Sequence, residues 1–187
     1  MNNRFDILDT PIQGLKLLQR KPLADDRGYL ERMFCSEELQ ALIPGRYIAQ
    51  INRTVTVKRG VVRGMHFQYP PQAETKFVSC LCGEVFDVAV DLRRNSPTFL
   101  QWYSEILTAD NRKTLVIPEG FAHGFQTLMK DCEMLYFHTA AYRAEREGGV
   151  NALDTRLAIQ WPLDITERSA RDIAHPSLKP DFKGLSV

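Results

Sequence analysis

Apolar residues along this chain recur mostly at every second position, in short runs broken by Gly, Pro, Asn or Asp. Six such runs, residues 47–57, 76–82, 85–92, 102–107, 113–117 and 133–139, are rich in β-branched and aromatic side chains and read as β-strands. The alternation is clearest in residues 85–92. There Phe86, Val88, Val90 and Leu92 share one face while Asp87 and Asp91 lie on the other, so a single buried face is expected. Helical signals are confined to the margins. Ser36 is expected to cap a helix over residues 37–43, with Glu37 and Glu38 in its first turn, and residues 165–174 suit a short polar helix. Pro70-Pro71 reads as a loop between strands, and the chain has no repeat, low-complexity tract or flexible linker.

Many short strands with regular turn signals predict an all-β domain, a cupin-like antiparallel jelly-roll barrel with a few short peripheral helices. At 187 residues, 44% of them hydrophobic and 25% charged, the chain suits one domain spanning residues 1–187 with a sizeable core. Its formal charge of +1 gives no reason to expect a polyanion-binding surface, so nucleic acid is excluded as a partner. No apolar run has the length of a signal peptide or membrane span, which makes a cytoplasmic location the default. Cys35, Cys80, Cys82 and Cys132 lack paired zinc-type spacing. Cys80 and Cys82, two apart in a strand, read as two small buried hydrophobes on one face.

Only four histidines are present, and three fall in strands or strand-adjacent turns. In Arg63-Gly64-Met65-His66-Phe67-Gln68, His66 and Gln68 share a face. Arg63 has the opposite parity, yet the glycine between them often marks a bulge that re-aims its neighbours. Spacing alone leaves His66 open as either a core histidine or a proton-transfer group. In Pro118-Glu119-Gly120-Phe121-Ala122-His123, the proline and glycine fix a tight turn that delivers His123 into a new strand, where it could donate to a carboxylate or bind a ligand oxygen. Period-two alternation after Glu133 places Tyr136, His138 and Tyr142 on one side, suited either to aromatic packing or to acid catalysis and stacking. Lys76 opens its strand and could stabilise an enolate or simply be solvated. Arg27, in Asp25-Asp26-Arg27-Gly28, is equally ambiguous. Asp172 reads as a surface residue unless the C-terminal segment folds back over the barrel.

Taken together, DDRG, RGMHFQ, GEVFDVAVDLRRNSPTF, IPEGFAHGF, MLY, WPL and SARD resemble the dTDP-4-dehydrorhamnose 3,5-epimerase family in order and spacing, from about Asp25 to Asp172. The resemblance implies a cupin-like jelly roll, a homodimer with exchanged N-terminal strands, and epimerisation at C3 and/or C5 of a nucleotide-linked 4-keto-6-deoxyhexose without cofactor or metal. It makes His66 the base, Asp172 its partner, Tyr136 the acid on the other face of the sugar and Lys76 the group that stabilises the C4 enolate. Arg63 and His123 would hold the substrate and Tyr142 would stack on the thymine. Arg27, Glu31, Gln50, Asn52, Glu147 and Arg171 match further positions for nucleotide or sugar. The pathway implied is rhamnose supply for a surface polysaccharide or a secondary-metabolite deoxysugar.

Ile51 stands where the family usually has an acid, Ala141 where a second tyrosine is common, and the segment before Glu31 is one residue short. These departures concern substrate contacts, so a single-centre epimerase acting on another nucleotide sugar is the nearest alternative. A metal-dependent cupin enzyme is a second, because Pro118 to His123 matches half of a cupin metal signature. Against it, Gln68 replaces the second histidine of the other half and Lys76 brings a positive charge. A non-catalytic sugar-binding barrel is a third.

Overall fold

The computed structural model describes residues 3–187. All six expected strands form, with ends shifted by up to three residues: β5 (Gln50–Thr56), β7 (Lys76–Cys82), β8 (Glu84–Asp91), β9 (Trp102–Thr108), β10 (Lys113–Ile117) and β12 (Cys132–His138). The two histidine motifs lie on β6 (Val62–Gln68) and β11 (Phe121–Thr127). Strands without a sequence signal complete the set: β1 (Phe5–Asp9), β2 (Lys16–Arg20), a hairpin of β3 (Leu23–Asp25) and β4 (Gly28–Leu30), and β13 (Glu147–Gly149).

These strands make a six-stranded sheet in the order β1-β2-β10-β7-β12-β5, facing a five-stranded sheet in the order β13-β6-β11-β8-β9, with β3-β4 as a separate pair. Every ladder is antiparallel. The result is a cupin-like jelly roll. Leu17, Val78, Val85, Ala89, Leu115, Phe125 and Met134 fill the space between the sheets. Their removal from water is the main driving force for closing the barrel.

Both outer faces are also covered, which overturns the expectation of a single buried face on β8. Val88, Val90 and Leu92 point outward, away from the barrel interior, and pack under a C-terminal segment that supplies Val150, Leu157, Ile159 and Leu185. The face carrying Asp87 and Asp91 is the one turned from that cover, and both aspartates are fully buried. Each has partners that make this tolerable: Asp87 bonds His123, and Asp91 accepts from Arg93, Ser96 and Thr98. On the other sheet Leu39 and Ile43 cover Phe77, Val116 and Phe137.

Three local expectations need correction. The first helix, α1, is a single turn (Ser36–Leu39) followed by a 3-10 turn, Gln40–Leu42; its N-cap is Cys35, without a side-chain hydrogen bond, so Ser36 is inside the helix. Glu38 has tertiary partners instead, accepting from the Arg4 N–H and pairing with Arg32. The second helix, α2, occupies only Ala170–Ala174 and is capped by Ser169, because Glu167 is tied by a parallel bridge and a backbone bond to the start of β6. Cys80 is buried but Cys82 is exposed. Between Cys80 and Cys82, β7 spends one more residue than β12 does between Met134 and Glu133, and this bulge breaks the shared parity. No helix among the described residues is long and apolar enough to cross a membrane.

Candidate active site

A cavity of about 540 Å³ opens between the two sheets, with β6 and β11 on one wall and β5, β7 and β12 on the other. His66 and His123 are register partners across β6 and β11 and enter it side by side. The bulge expected at Gly64 is present: β11 advances two residues, His123 to Phe125, while β6 advances three, His66 to Arg63. Arg63 and His66 thereby line the same cavity despite their parity. Only glycine fits here. Gly64 has φ +132, and a Cβ on it would lie 2.5 Å from the Cα of Gly124.

The C-terminal segment does fold back, and α2 delivers Asp172 to the same cavity, 2% exposed and 2.7 Å from His66 Nε2. Burial opposes ionisation of this carboxyl, but the His66 ring, the Gly64 N–H and the Ser169 hydroxyl outweigh it and hold the pKa below the ordinary value. A second imidazole–carboxylate pair joins His123 Nε2 to Asp87 Oδ1 at 2.9 Å. Tyr136 enters from β12 on the opposite wall. Burial, reinforced by the Asp87 carboxylate, pushes its phenol well above the usual tyrosine range, so it stays protonated through neutral pH.

Lys76, at the start of β7, is buried and donates to the His66 carbonyl at 3.2 Å, a contact that bridges the two sheets. At the mouth, Tyr142 and Arg171 both donate to Glu147 at 3.1 Å. Gln68 braces the loop carrying Tyr142 by accepting from the Arg143 N–H. Asn52 lines the wall beside Tyr136, its register partner.

Ten of the thirteen residues singled out from sequence therefore line one cavity: His66, Asp172, Tyr136, Lys76, Asn52, Arg63, His123, Tyr142, Glu147 and Arg171. Three do not. Gln50 sits just outside, accepting from the Tyr142 N–H. Arg27 projects from the β3-β4 turn and pairs with Asp25 in solvent. Glu31 pairs with the buried Arg20 at 3.0 Å. Further polar residues belong to the site or support it, among them Asp87, Glu74, His138 and His175. Asp87 was hidden by its parity, and Glu74 by lying in a loop. His138, on the Tyr136 face, stood as one aromatic among several. His175 has no motif around it; its ring lies 5.3 Å from that of His66, and burial together with His66 lowers its pKa. His66, Asp172 and His175 have potential ligand atoms within 4.8 Å of one another, the grouping best placed among the described residues to hold a metal ion.

A jelly roll whose two sheets carry imidazole–carboxylate pairs, a buried phenol and a buried ammonium into one cavity has the equipment of a proton-transfer enzyme. The family profile described as dTDP-4-dehydrorhamnose 3,5-epimerase matches residues 9–180, and the chain belongs to that family. Among its relatives is the dTDP-4-dehydrorhamnose 3,5-epimerase of Salmonella typhimurium strain LT2, 42% identical over 175 residues, 92% of this chain and 94% of that one. The crystal structure of the Legionella pneumophila dTDP-6-deoxy-D-glucose-3,5-epimerase in complex with dTDP-4-keto-L-rhamnose superposes with a TM-score of 0.87 at 39% identity, covering 92% of each chain. The Bacillus anthracis enzyme with TDP and PPi bound gives a TM-score of 0.89 at 37% identity, over 93% of this chain and 99% of that one.

Proposed function

We propose that this chain is an isomerase that converts dTDP-4-dehydro-6-deoxy-D-glucose to dTDP-4-dehydro-L-rhamnose by epimerising C3 and C5. The observation that carries this reading is the placement of His66, paired with Asp172 of α2, on one sheet and Tyr136 on the other, around a common cavity. The hydrogens at C3 and C5 are both α to the C4 ketone. His66 removes one of them, and the electron pair of the broken C–H bond moves into the ring to give an enolate with its charge on the C4 oxygen. Lys76 donates a hydrogen bond to that oxygen as the charge develops. Asp172 holds the imidazole in orientation and stabilises its protonated form. Tyr136 then returns a proton to carbon from the opposite face, which inverts the centre.

Arg63, His123, Asn52 and Arg171 hold sugar and phosphates, and Tyr142, kept in place by Gln50 and Glu147, stacks on the base. The chain works as one jelly-roll unit and assembles as a homodimer. The β3-β4 hairpin supports this assembly, since it exposes Leu23, Tyr29 and Leu30, and the edge strand β5 exposes Ile51 and Val55. A hairpin docked on the partner's β5 covers both and brings the exposed Arg27 towards the partner's cavity.

Proton NMR of dTDP-4-keto-6-deoxyglucose incubated with the protein in D₂O tests the function. Loss of the C3 and C5 proton signals with appearance of the L-lyxo product is expected. Loss of one signal makes the protein a single-centre epimerase, and loss of neither overturns the substrate assignment.

A further inference from the structure

Beyond the residues given roles above, the cavity holds a third imidazole–carboxylate pair. His138 Nδ1 lies 3.0 Å from Glu74 Oε2, and the other oxygen of the same carboxylate, Oε1, lies 3.4 Å from Lys76 Nζ. All three side chains are about nine-tenths or more buried, yet all line the cavity. Lys76 and His138 are register partners on β7 and β12, so their side chains leave the same face of the sheet next to each other.

The hydrogen-bond count gives this cluster a purpose. A lysine ammonium has three N–H donors. The His66 carbonyl at 3.2 Å and the Glu74 carboxylate occupy two of them. One donor remains for a ligand oxygen, and the two occupied ones fix where it points. Glu74 is itself held from behind. With Nδ1–H given to Glu74, His138 Nε2 is an acceptor, and the Asn52 amide lies 3.5 Å from it. Asn52 Oδ1 accepts from Gln50, whose own oxygen accepts from the Tyr142 N–H. A polar chain thus runs from Lys76 to the loop that carries Tyr142. Burial disfavours ionisation of Glu74, but hydrogen bonding to His138 and the Lys76 charge more than offset it and keep the carboxyl below its ordinary pKa.

We infer that Glu74 and His138 are positioning residues of the reaction: Glu74 anchors the Lys76 ammonium so that its one free donor meets the C4 oxygen, and His138 anchors Glu74. The inference rests on the epimerase reading. A freely rotating ammonium would have to be ordered at each turnover, and a preorganised one does not.

A double-mutant cycle tests it, with epimerisation followed by NMR in D₂O and TDP affinity by calorimetry. Glu74→Gln keeps the shape but loses the charge and one acceptor. It should lower kcat by roughly 10–100-fold, the range found when an outer partner of a catalytic ligand is removed, with TDP affinity within about twofold of the parent. In a Lys76→Met background the same change should cost less than about threefold, because the group it positions is gone. His138→Leu should follow Glu74→Gln, and His138→Asn, which keeps a donor towards Glu74, should recover much of the loss. An equal loss from Glu74→Gln in both backgrounds, or a parallel loss of TDP binding, would mark Glu74 as merely structural and overturn the inference. Undiminished turnover in Glu74→Gln would overturn it alone. A parent protein inert towards the substrate would overturn the functional reading, and this inference with it.

Discussion

The Asp172 carboxyl is held below its ordinary pKa in a nearly closed environment by the His66 ring, the Gly64 N–H and the Ser169 hydroxyl, and that has a measurable sign. Its folded pKa is depressed, so its contribution to stability is present above the ordinary value of 3.8 and is lost as pH falls below that value towards the depressed one. Urea denaturation of Asp172→Asn should therefore show a smaller loss of stability between pH 5 and roughly pH 2 than the parent. An unchanged acid profile would mean that His66 does not hold this carboxylate in solution. Tyr136 behaves oppositely. Its folded pKa is raised above the ordinary 10.0, so its contribution is present below pH 10 and is lost as pH climbs through the raised value. Tyr136→Phe should remove part of the alkaline destabilisation. The same variant separates the two proton transfers. His66 should still exchange the substrate's proton with D₂O, while net inversion falls by roughly 10²–10⁴-fold, as expected on losing a positioned acid. If inversion persisted at the parent rate, the acid would have to be another group.

At the scale of elements, the site depends on one irregularity in an otherwise regular sheet. Without the bulge at Gly64, Arg63 and His66 would leave opposite faces of β6, and the arginine could not share a cavity with the histidine. Gly64→Ala should cost roughly 2–4 kcal/mol, since it combines a left-handed φ with a Cβ driven into Gly124. A thermal melt and TDP titration would check this, and a variant with parental stability and affinity would show that β6 can pair without the bulge. The glycine made the bulge legible in the sequence, because a glycine inside a strand is a local signal. Strands β5, β7, β8, β9, β10 and β12 were legible for the same reason, as alternation and turn residues are written locally. The second buried face of β8 was not. A face bearing two aspartates reads as solvated until their partners are in place: His123, 36 residues away, for Asp87, and the turn just after the strand, with Arg93, Ser96 and Thr98, for Asp91. Asp172 was conditional on the path of the C-terminal segment, and Glu74 gave no signal because its meaning depends on His138, brought to it from β12, as well as on the nearby Lys76. β1 escaped because four of its five residues are exposed, and β2 because Lys16, Gln19 and the buried Arg20 put polar side chains where an apolar pattern would be read.

At the scale of the molecule, the four residues proposed for proton transfer, His66, Asp172, Tyr136 and Lys76, all line the cavity of one chain, while Arg27 and Glu31 lie outside it. The hairpin bearing Arg27 presents Tyr29 and Leu30, 62% and 70% exposed, and the edge strand β5 exposes apolar residues of its own. Such a surface is costly in a monomer and fits a self-complementary interface. If each working site takes His66 from one subunit and Arg27 from the other, the two functions can be separated by mixing subunits. Arg27→Ala alone should weaken substrate binding, and His66→Ala alone should abolish turnover. In a mixed dimer, however, the cavity of the Arg27→Ala subunit keeps its own His66 and receives an intact Arg27 from its partner. Random reassociation of equal amounts makes half of the dimers mixed, each with one restored site, so recovery of about a quarter of parental activity is expected. Activity equal to the average of the two separate variants would place Arg27 outside the partner's site.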